Sequence, residues 1–218
     1  MAFKLAKIKW KWWITPTGTC EITENGTYDV TEYATAEVSV PSIDLKDYFT
    51  SPMPTDVNVN NAGIYYIVKK LPDDLAIGTS LRYSCFSMRN LIEMPNWDTK
   101  NVTDMRNCFQ GCTSLVTARA WDMSSVTAGQ NMFNECLNLE NVPVFNWSSL
   151  TNAQSMFSWC EKISYESWNN IMASCISASS YTGTKTLTNL CNKIDTYIRA
   201  SLQALPNYSA FVSAGWSI

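Results

Sequence analysis

Hydrophobic residues recur with a period of 24 from about residue 81 to about residue 168. The recurring columns are Leu91, Leu115, Leu139 and Ile163; Cys85, Phe109, Phe133 and Phe157; Met88, Cys112, Cys136 and Cys160; Trp97, Trp121 and Phe145; Val102, Val126 and Leu150; and Thr103, Thr127 and Thr151. A fixed period of this length is typical of stacked repeats. The pattern therefore predicts about four coils whose equivalent side chains form common interior rows, with Phe109, Phe133 and Phe157 in line.

Each repeat unit predicts one short helix and one short strand. Apolar residues at helical spacing are Met105, Cys108, Phe109 and Cys112. An i, i+3, i+4, i+7 stripe of this kind is typical of a helix with one buried face. Leu115, Ala118 and Ala120 follow, as Leu139, Val142 and Val144 do one unit later, in the L-x-x-L-x-L pattern that turns alternate strand side chains inward. Neither element can bury its apolar side alone, so the coils must stack.

The segments before the repeats predict a β-module and a cap. Asn-Gly at residues 25–26 lies between alternating residues, which indicates a hairpin, and a further strand ends at Pro41. We therefore assign residues 1–41 to a small β-module. Residues 42–80 are assigned to a linker and N-terminal cap, with a buried strand at residues 64–68.

Residues 169–218 are assigned to a helical C-terminal cap on the repeat domain of residues 81–168. Their helical stripe consists of Leu187, Leu190, Cys191, Ile194, Ile198 and Leu202. Pro206 ends this helix, and Tyr208 begins a final short helix that Gly215 can end. The predicted fold class is α+β: a small N-terminal β-module, then a short leucine-rich-repeat solenoid, then a helical cap.

Composition excludes several kinds of protein. With 46% hydrophobic and 16% charged residues the chain can bury a core, and a net charge of -3 gives no general basic field for nucleic acid. No apolar run is long enough to span a membrane. The sequence has no histidine, which removes Ser-His-Asp and Cys-His nucleophiles and histidine-bearing zinc sites. We expect no enzyme activity, no cofactor, no metal, no nucleic acid and no membrane insertion.

The eight cysteines are interpreted as buried thiols. Cys112, Cys136 and Cys160 are 24 residues apart, which indicates one repeated inward position rather than a disulfide framework. Cys108 and Cys112, one helical turn apart, would also suit half of a two-thiolate metal site, although structural burial is favoured. The lysines near the N-terminus interrupt any signal-peptide core, so we expect a protein assembled in the cytoplasm.

The opening segment alternates basic and apolar residues, namely Lys7, Ile8, Lys9, Trp10, Lys11, Trp12 and Trp13. This pattern predicts an anchoring strand whose aromatic side docks onto another subunit. The alternative is an edge strand of the chain's own hairpin, with lysines that discourage aggregation. Binding of single-stranded nucleic acid or of a membrane surface is a weaker reading.

The outward side of the predicted strands is a candidate ligand face. Its candidate residues are Glu93, Trp97, Thr117, Arg119, Trp121, Asn141 and Trp147. Repeat proteins often bind through such a face, and tryptophans at its margin could stack on carbohydrate. The alternative is a plain solvated surface.

Asp98 and Asp122 give the one enzymatic hypothesis. Stacking of units could bring the two carboxylates to about 5 Å, the separation found in retaining glycosidases. The alternative is a ladder of turns in which each side chain accepts backbone N–H bonds, and Asn146 at the third equivalent position fits this better.

The repeats resemble a known family. The stretches NVTDMRNCFQGCTSL and SSVTAGQNMFNECLNLENVPVFNWSSLTNAQSMFSWC are similar to the BspA-like leucine-rich repeats of bacterial surface proteins and phage-encoded proteins, with Val-Thr-x-Met, Met-Phe-x-x-Cys and Ser-Leu motifs. Cys108 replaces the motif's methionine, and Gly129 and Ala153 replace Met105. The segment ITENGTYDVTEYATAEVSV resembles a β-module of phage structural proteins, and the ending AGWSI resembles phage-encoded relatives in which Trp216 and Ile218 would pack on the cap.

The resemblance implies a non-enzymatic phage virion protein, located in a head or tail fibre or decoration and assembled in the host cytoplasm. Its N-terminal segment would anchor it to other virion proteins, and its repeat domain would adhere to a host surface protein or glycan. A homo-oligomer is implied, with a trimer as one candidate. The alternatives are a bacterial cell-surface adhesin and a carbohydrate-active enzyme that uses Asp98 and Asp122.

Overall fold

The computed structural model describes residues 20–21, 27–28, 43–44, 68–71, 73, 77–192, 194 and 196–218. Its strands are β1 (Cys20–Glu21), β2 (Thr27–Tyr28), β3 (Ile43–Asp44) and β4 (Val68–Lys70). Its helices are α1 (Tyr165–Ser177), α2 (Leu187–Leu190), α3 (Thr196–Gln203) and α4 (Tyr208–Ser213).

The four strands form two pairs ahead of the repeats. β1 runs parallel to β4, and β2 runs antiparallel to β3. The predicted hairpin turn at residues 25–26 and most of the predicted strand at residues 64–68 lie outside the described residues. The division at residue 41 and the complete predicted fold class therefore stay predictions.

The 24-residue units stack in register, which confirms the predicted alignment of the phenylalanines. The rings of Phe109 and Phe133 lie 5.7 Å apart with a 6° interplanar angle. The rings of Phe133 and Phe157 lie 5.6 Å apart at 7°. All three side chains are fully buried. Burial of the same position in every unit keeps the residues of one column hydrophobic, and this is why the periodicity located the core.

A threonine ladder holds one edge of this repeat stack (residues 79–163). The amide of Thr127 donates to the carbonyl of Thr103 at 2.9 Å, and the Thr127 hydroxyl donates to the same carbonyl at 3.1 Å. The pattern repeats between Thr103 and Thr79 and between Thr151 and Thr127. Each threonine thus fixes the register of its unit against the preceding one.

The predicted helix at residues 105–112 is wrong, although its buried side chains were identified correctly. The segment is a run of turns in which Asn107 and Gly111 have φ angles of 59° and 75°. Bonds to the next unit run from the amides of Met105, Asn107, Phe109 and Gly111 to the carbonyls of Ala128, Gln130, Met132 and Asn134 at 2.8, 3.0, 2.8 and 2.8 Å. An α-helix would use these amides within the unit, leaving none to bond the neighbouring unit.

The predicted strand alternation is also wrong at Ala120 and Val144, which are exposed. The buried residues of this segment are Leu115, Ala118 and Trp121, so the chain turns a side chain inward at every third residue. Adjacent units contact here through isolated parallel bridges rather than through continuous strands. Because inward positions are three residues apart, the inward position after Ala118 is Trp121 rather than Ala120.

Helix α1 closes the open edge of the last unit, and the sequence patterns did not predict it. It begins at Tyr165, ahead of the predicted boundary at residue 169, and the Ser164 side chain accepts its N-cap bond from the Ser167 amide. One side of α1 bonds the backbone of residues 140–147 through Ser167, Asn170, Ser174 and Ser177. These side chains take the place of the backbone that a further unit would supply.

The remaining C-terminal segment folds onto the end of the stack. The predicted single helix over residues 187–202 is divided into α2 and α3, because Cys191 adopts an extended conformation after α2. Helix α4 is followed by Gly215 at φ 85°, as predicted. Trp216 is buried, with its ring 4.9 Å from Tyr181 and 5.9 Å from Phe211, which confirms its predicted packing on the cap.

Candidate functional site

The candidate ligand face lies on the outward side of residues 92–96, 116–120 and 140–144, and we call this surface the strand face. Parallel bridges join Glu93 to Thr117 and Thr117 to Asn141. The Ala118 amide donates to the Asn141 carbonyl at 2.8 Å, which fixes the two units relative to each other. Equivalent residues of three successive units therefore form rows across one surface.

Four of the predicted residues meet on the strand face. Arg119 Nη2 lies 3.2 Å from Glu93 Oε2, and Arg119 Nε donates to the Met94 carbonyl. Asn141 Nδ2 donates to Thr117 Oγ1 at 3.2 Å. The Arg119 and Glu93 side chains are 38% and 34% exposed, so this ion pair is positioned by the fold yet remains accessible.

The three predicted tryptophans are not on the strand face, which corrects their assignment as ligand-contacting residues. Trp97, Trp121 and Trp147 are 4%, 5% and 0% exposed. The rings of Trp97 and Trp121 stack at 5.8 Å, and Trp121 Nε1 donates to the Pro95 carbonyl at 2.9 Å. The inward period of three places Trp97 and Trp121 in the core, and Trp147 is buried at the position equivalent to Met123, so none of the three rings can stack on a ligand.

Exposed apolar residues on the strand face were not predicted. Ile92 and Val116 are each 39% exposed, and Val144 is 54% exposed. A sequence signal for them existed, because the column of Ile92 and Val116 continues with Glu140, and a column that mixes apolar and charged residues is not buried. The strand face therefore has two exposed apolar corners, one at Ile92 and Val116 and the other at Val144, together with the Arg119–Glu93 ion pair.

Asp98 and Asp122 occupy exposed turns. Asp122 Oδ1 accepts bonds from the Ser124 hydroxyl at 2.6 Å and from the Ser124 amide at 2.9 Å, and these bonds lower the pKa of Asp122. Asp98 Oδ1 accepts from the Lys100 amide, and Asn146 Oδ1 accepts from the Ser148 amide. The geometry is that of the turn ladder, and a lowered carboxyl pKa is the reverse of what a general acid at neutral pH requires.

The repeated cysteines form an interior row of free thiols. The thiols of Cys112, Cys136 and Cys160 each donate to a carbonyl of the preceding unit, at 3.1, 3.1 and 3.0 Å. Burial raises the pKa of all three thiols well above the ordinary value. Cys108 is buried beside this row. Within the described residues no three metal-ligating side chains come together.

The predicted anchoring residues Lys7, Ile8, Lys9, Trp10, Lys11, Trp12 and Trp13 lie outside the described residues. Their role stays a prediction. Among the helices that the structure describes, none combines the length and apolar character needed to cross a membrane.

Comparison with known families gives one match. The family model described as "Mycoplasma protein of unknown function, DUF285" matches residues 79–193. The matched region contains the repeat stack together with α1 and α2. Neither the curated proteins nor the solved structures contain a match.

Proposed function

The chain belongs to the DUF285 family, which is consistent with its resemblance to BspA-like repeat proteins, and we propose that it is a non-enzymatic phage virion protein. In this proposal its N-terminal segment anchors it to other virion proteins, and the repeat stack is a short leucine-rich-repeat solenoid. The strand face then provides the adhesive surface, directed at a host surface protein or glycan.

The observation that carries the proposal is a difference between the residues that hold the units of the stack together and the residues exposed on the strand face. Inside, phenylalanine rings and cysteine thiols hold successive units together, and threonine hydroxyls do the same along one exposed edge. Outside, the strand face leaves Ile92, Val116 and Val144 partly exposed around the Arg119–Glu93 pair. Exposed apolar residues gathered on one surface are typical of an interaction site.

The chemistry of the described carboxylates supports a non-enzymatic role. Asp122, which the glycosidase hypothesis needs, accepts two hydrogen bonds from Ser124 at its Oδ1 atom within a turn. These bonds lower the pKa of Asp122, and an ionised carboxylate has no proton to give as a general acid. Its geometry is explained by the turn, so the proposal assigns Asp98 and Asp122 a structural role.

Assembly in the cytoplasm is supported by the thiol row. Six buried cysteines are free thiols, namely Cys85, Cys108, Cys112, Cys136, Cys160 and Cys175. Cytosolic reductants keep thiols reduced, whereas oxidising compartments favour disulfides. A core that uses protonated thiols as hydrogen-bond donors is suited to folding in a reducing compartment before particle assembly.

Incorporation into particles tests the proposal. The chain is expressed during phage production, once at full length and once without residues 1–13, and purified particles are probed with an antibody to the repeat stack. We expect the full-length chain on the particles and the truncated chain, folded by circular dichroism, only in the soluble fraction. A full-length chain that never co-purifies with particles overturns the virion role, and equal incorporation of both chains overturns the anchoring role.

A bacterial surface adhesin is the second candidate, favoured by the bacterial genus in the family description. It requires the chain on the outside of intact cells that carry its gene. Protease treatment of such cells distinguishes the candidates: an adhesin is digested on intact cells, whereas a virion protein inside them is protected until lysis.

A further inference from the structure

We propose that the strand face of one copy binds the N-terminal segment of a second copy, through residues 7–13. This inference rests on the proposed function and narrows it: the virion protein that the anchoring segment binds is another subunit of the same kind, and host adhesion is left to a strand face that no neighbouring segment occupies, such as the one at the end of an open chain. Each copy then offers one segment and one face. Such a head-to-tail contact produces a closed ring or an open chain of subunits.

Spacing supports the match between the segment and the face. On the face, Val116 and Ala120 are exposed positions four residues apart along one unit, with Ile92 and Val144 beside them in the neighbouring units. Residues four apart in an extended chain are separated by about 13 Å. In the segment, Ile8 and Trp12 are also four residues apart on the same side of the predicted strand. An extended segment lying along the unit would place each of them over one apolar corner.

The central position of the segment also has a partner. Trp10 lies midway between Ile8 and Trp12 on the same side. Midway between the apolar corners lies Arg119, held by Glu93 and partly exposed. A guanidinium group against an indole ring is a favourable cation–π contact. Arg119 is fixed in position before binding, so little side-chain entropy is lost when the ring arrives.

Charge favours the same pairing. Residues 1–20 contain four lysines and no acidic residue. On and beside the strand face Glu93 pairs with Arg119 and Asp98 pairs with Lys100, while Asp122 and Glu140 are exposed acidic side chains outside these two pairs. Lys7, Lys9 and Lys11 would point away from the apolar corners, within reach of the acidic margin through their long side chains. This electrostatic attraction should weaken as salt is added.

Self-association of the full-length chain tests the contact. Light scattering after size-exclusion chromatography is measured over a dilution series for the wild type and for the double variant Val116→Lys/Val144→Lys. The control is Val212→Lys, since Val212 is 46% exposed on α4, a helix outside the three segments that form the strand face. We expect the wild type and the control to self-associate. The double variant should associate at least about tenfold more weakly, with an unchanged melting temperature.

Mixing two defective variants tests the direction of the contact. The face variant Val116→Lys/Val144→Lys keeps an intact segment, and the segment variant Trp10→Ala/Trp12→Ala keeps an intact face. Each should be monomeric alone. Their mixture should form one-to-one pairs that grow no further, because each pair has a single working contact.

Several results would overturn the inference. A wild type that is monomeric at every concentration would show that no second copy binds. Docking of the segment onto the strand face of the same copy would overturn the inference in the same way. Self-association that persists in the face variant would place the contact elsewhere. Particle incorporation is measured separately, so a chain that self-associates as expected but never joins particles would refute the virion role and leave this contact standing.

Discussion

The Ser174 hydroxyl oxygen lies 2.8 Å from the amide nitrogen of Phe145 and accepts its hydrogen bond. The Ser174 hydroxyl in turn donates to the Asn170 carbonyl within α1 at 2.8 Å. A helix side chain thereby satisfies a backbone donor that an additional repeat unit would otherwise satisfy. This relationship explains how the stack ends without an open row of backbone donors.

Removal of this acceptor should destabilise the protein measurably. In Ser174→Ala the Phe145 amide is left buried without its acceptor, and such a loss costs about 1–3 kcal/mol. Urea unfolding followed by circular dichroism gives the free energy of unfolding. The control Ser180→Ala, at an exposed position, should change it by less than about 0.5 kcal/mol. Equal stability of Ser174→Ala and the wild type would show that α1 is not held by this bond.

The middle phenylalanine of the stacked row should contribute more than any polar contact. Phe133 is fully buried between Phe109 and Phe157. Phe133→Ala leaves a cavity and should cost about 3–5 kcal/mol. Phe133→Leu, which fills most of the space, should cost clearly less. If both variants unfold at the same urea concentration, the row is not tightly packed.

The sequence located the buried rows but not the backbone that carries them. An i, i+3, i+4, i+7 stripe arises in a helix, and it also arises in a run of turns with left-handed residues such as Asn107 and Gly111. Asparagine and glycine are the residues that most readily adopt a positive φ, so their recurrence was the available signal. At Glu135 and Trp159 the same conformation occurs without such a signal, because the stacked neighbours impose it.

The candidate site was predicted in part for a similar reason. Glu93, Thr117, Arg119 and Asn141 share one surface, because the 24-residue period alone determines which residues become neighbours. Trp97 and Trp121 were misplaced because their direction depends on the local inward period, which is three in this segment rather than two, and Trp147 was misplaced because it is equivalent to the buried Met123 rather than to Trp121. The anchoring segment stays a prediction, since residues 7–13 lie outside the described part of the chain.

The hydroxyl of Thr127 should stabilise the stack independently of the threonine's shape. It donates to the Thr103 carbonyl at 3.1 Å from an exposed position. Thr127→Val retains the branched shape and loses the donor, so we expect a loss of about 0.5–1 kcal/mol in the free energy of unfolding. Thr127→Ser retains the donor, and its loss should be smaller. A Thr127→Ser variant that is the less stable of the two would assign the effect to the methyl group.

The buried thiols connect stability to pH. Cys136 Sγ donates to the Phe109 carbonyl, and only the protonated thiol can make this bond. Burial raises the pKa of Cys136 in the folded state, whereas in the unfolded chain the thiol has its ordinary pKa of about 8.5. The unfolded chain therefore loses the proton at a lower pH than the folded protein does. Above the ordinary thiol pKa, deprotonation favours the unfolded chain.

The free energy of unfolding should accordingly be independent of these thiols below about pH 8 and should fall progressively as the pH rises beyond it. Urea unfolding at neutral and alkaline pH, with a reductant present, measures the fall. Cys136→Ala removes one raised group, so its stability should decline less steeply with pH than that of the wild type. Identical alkaline slopes for the two proteins would mean that Cys136 is not kept protonated by the fold.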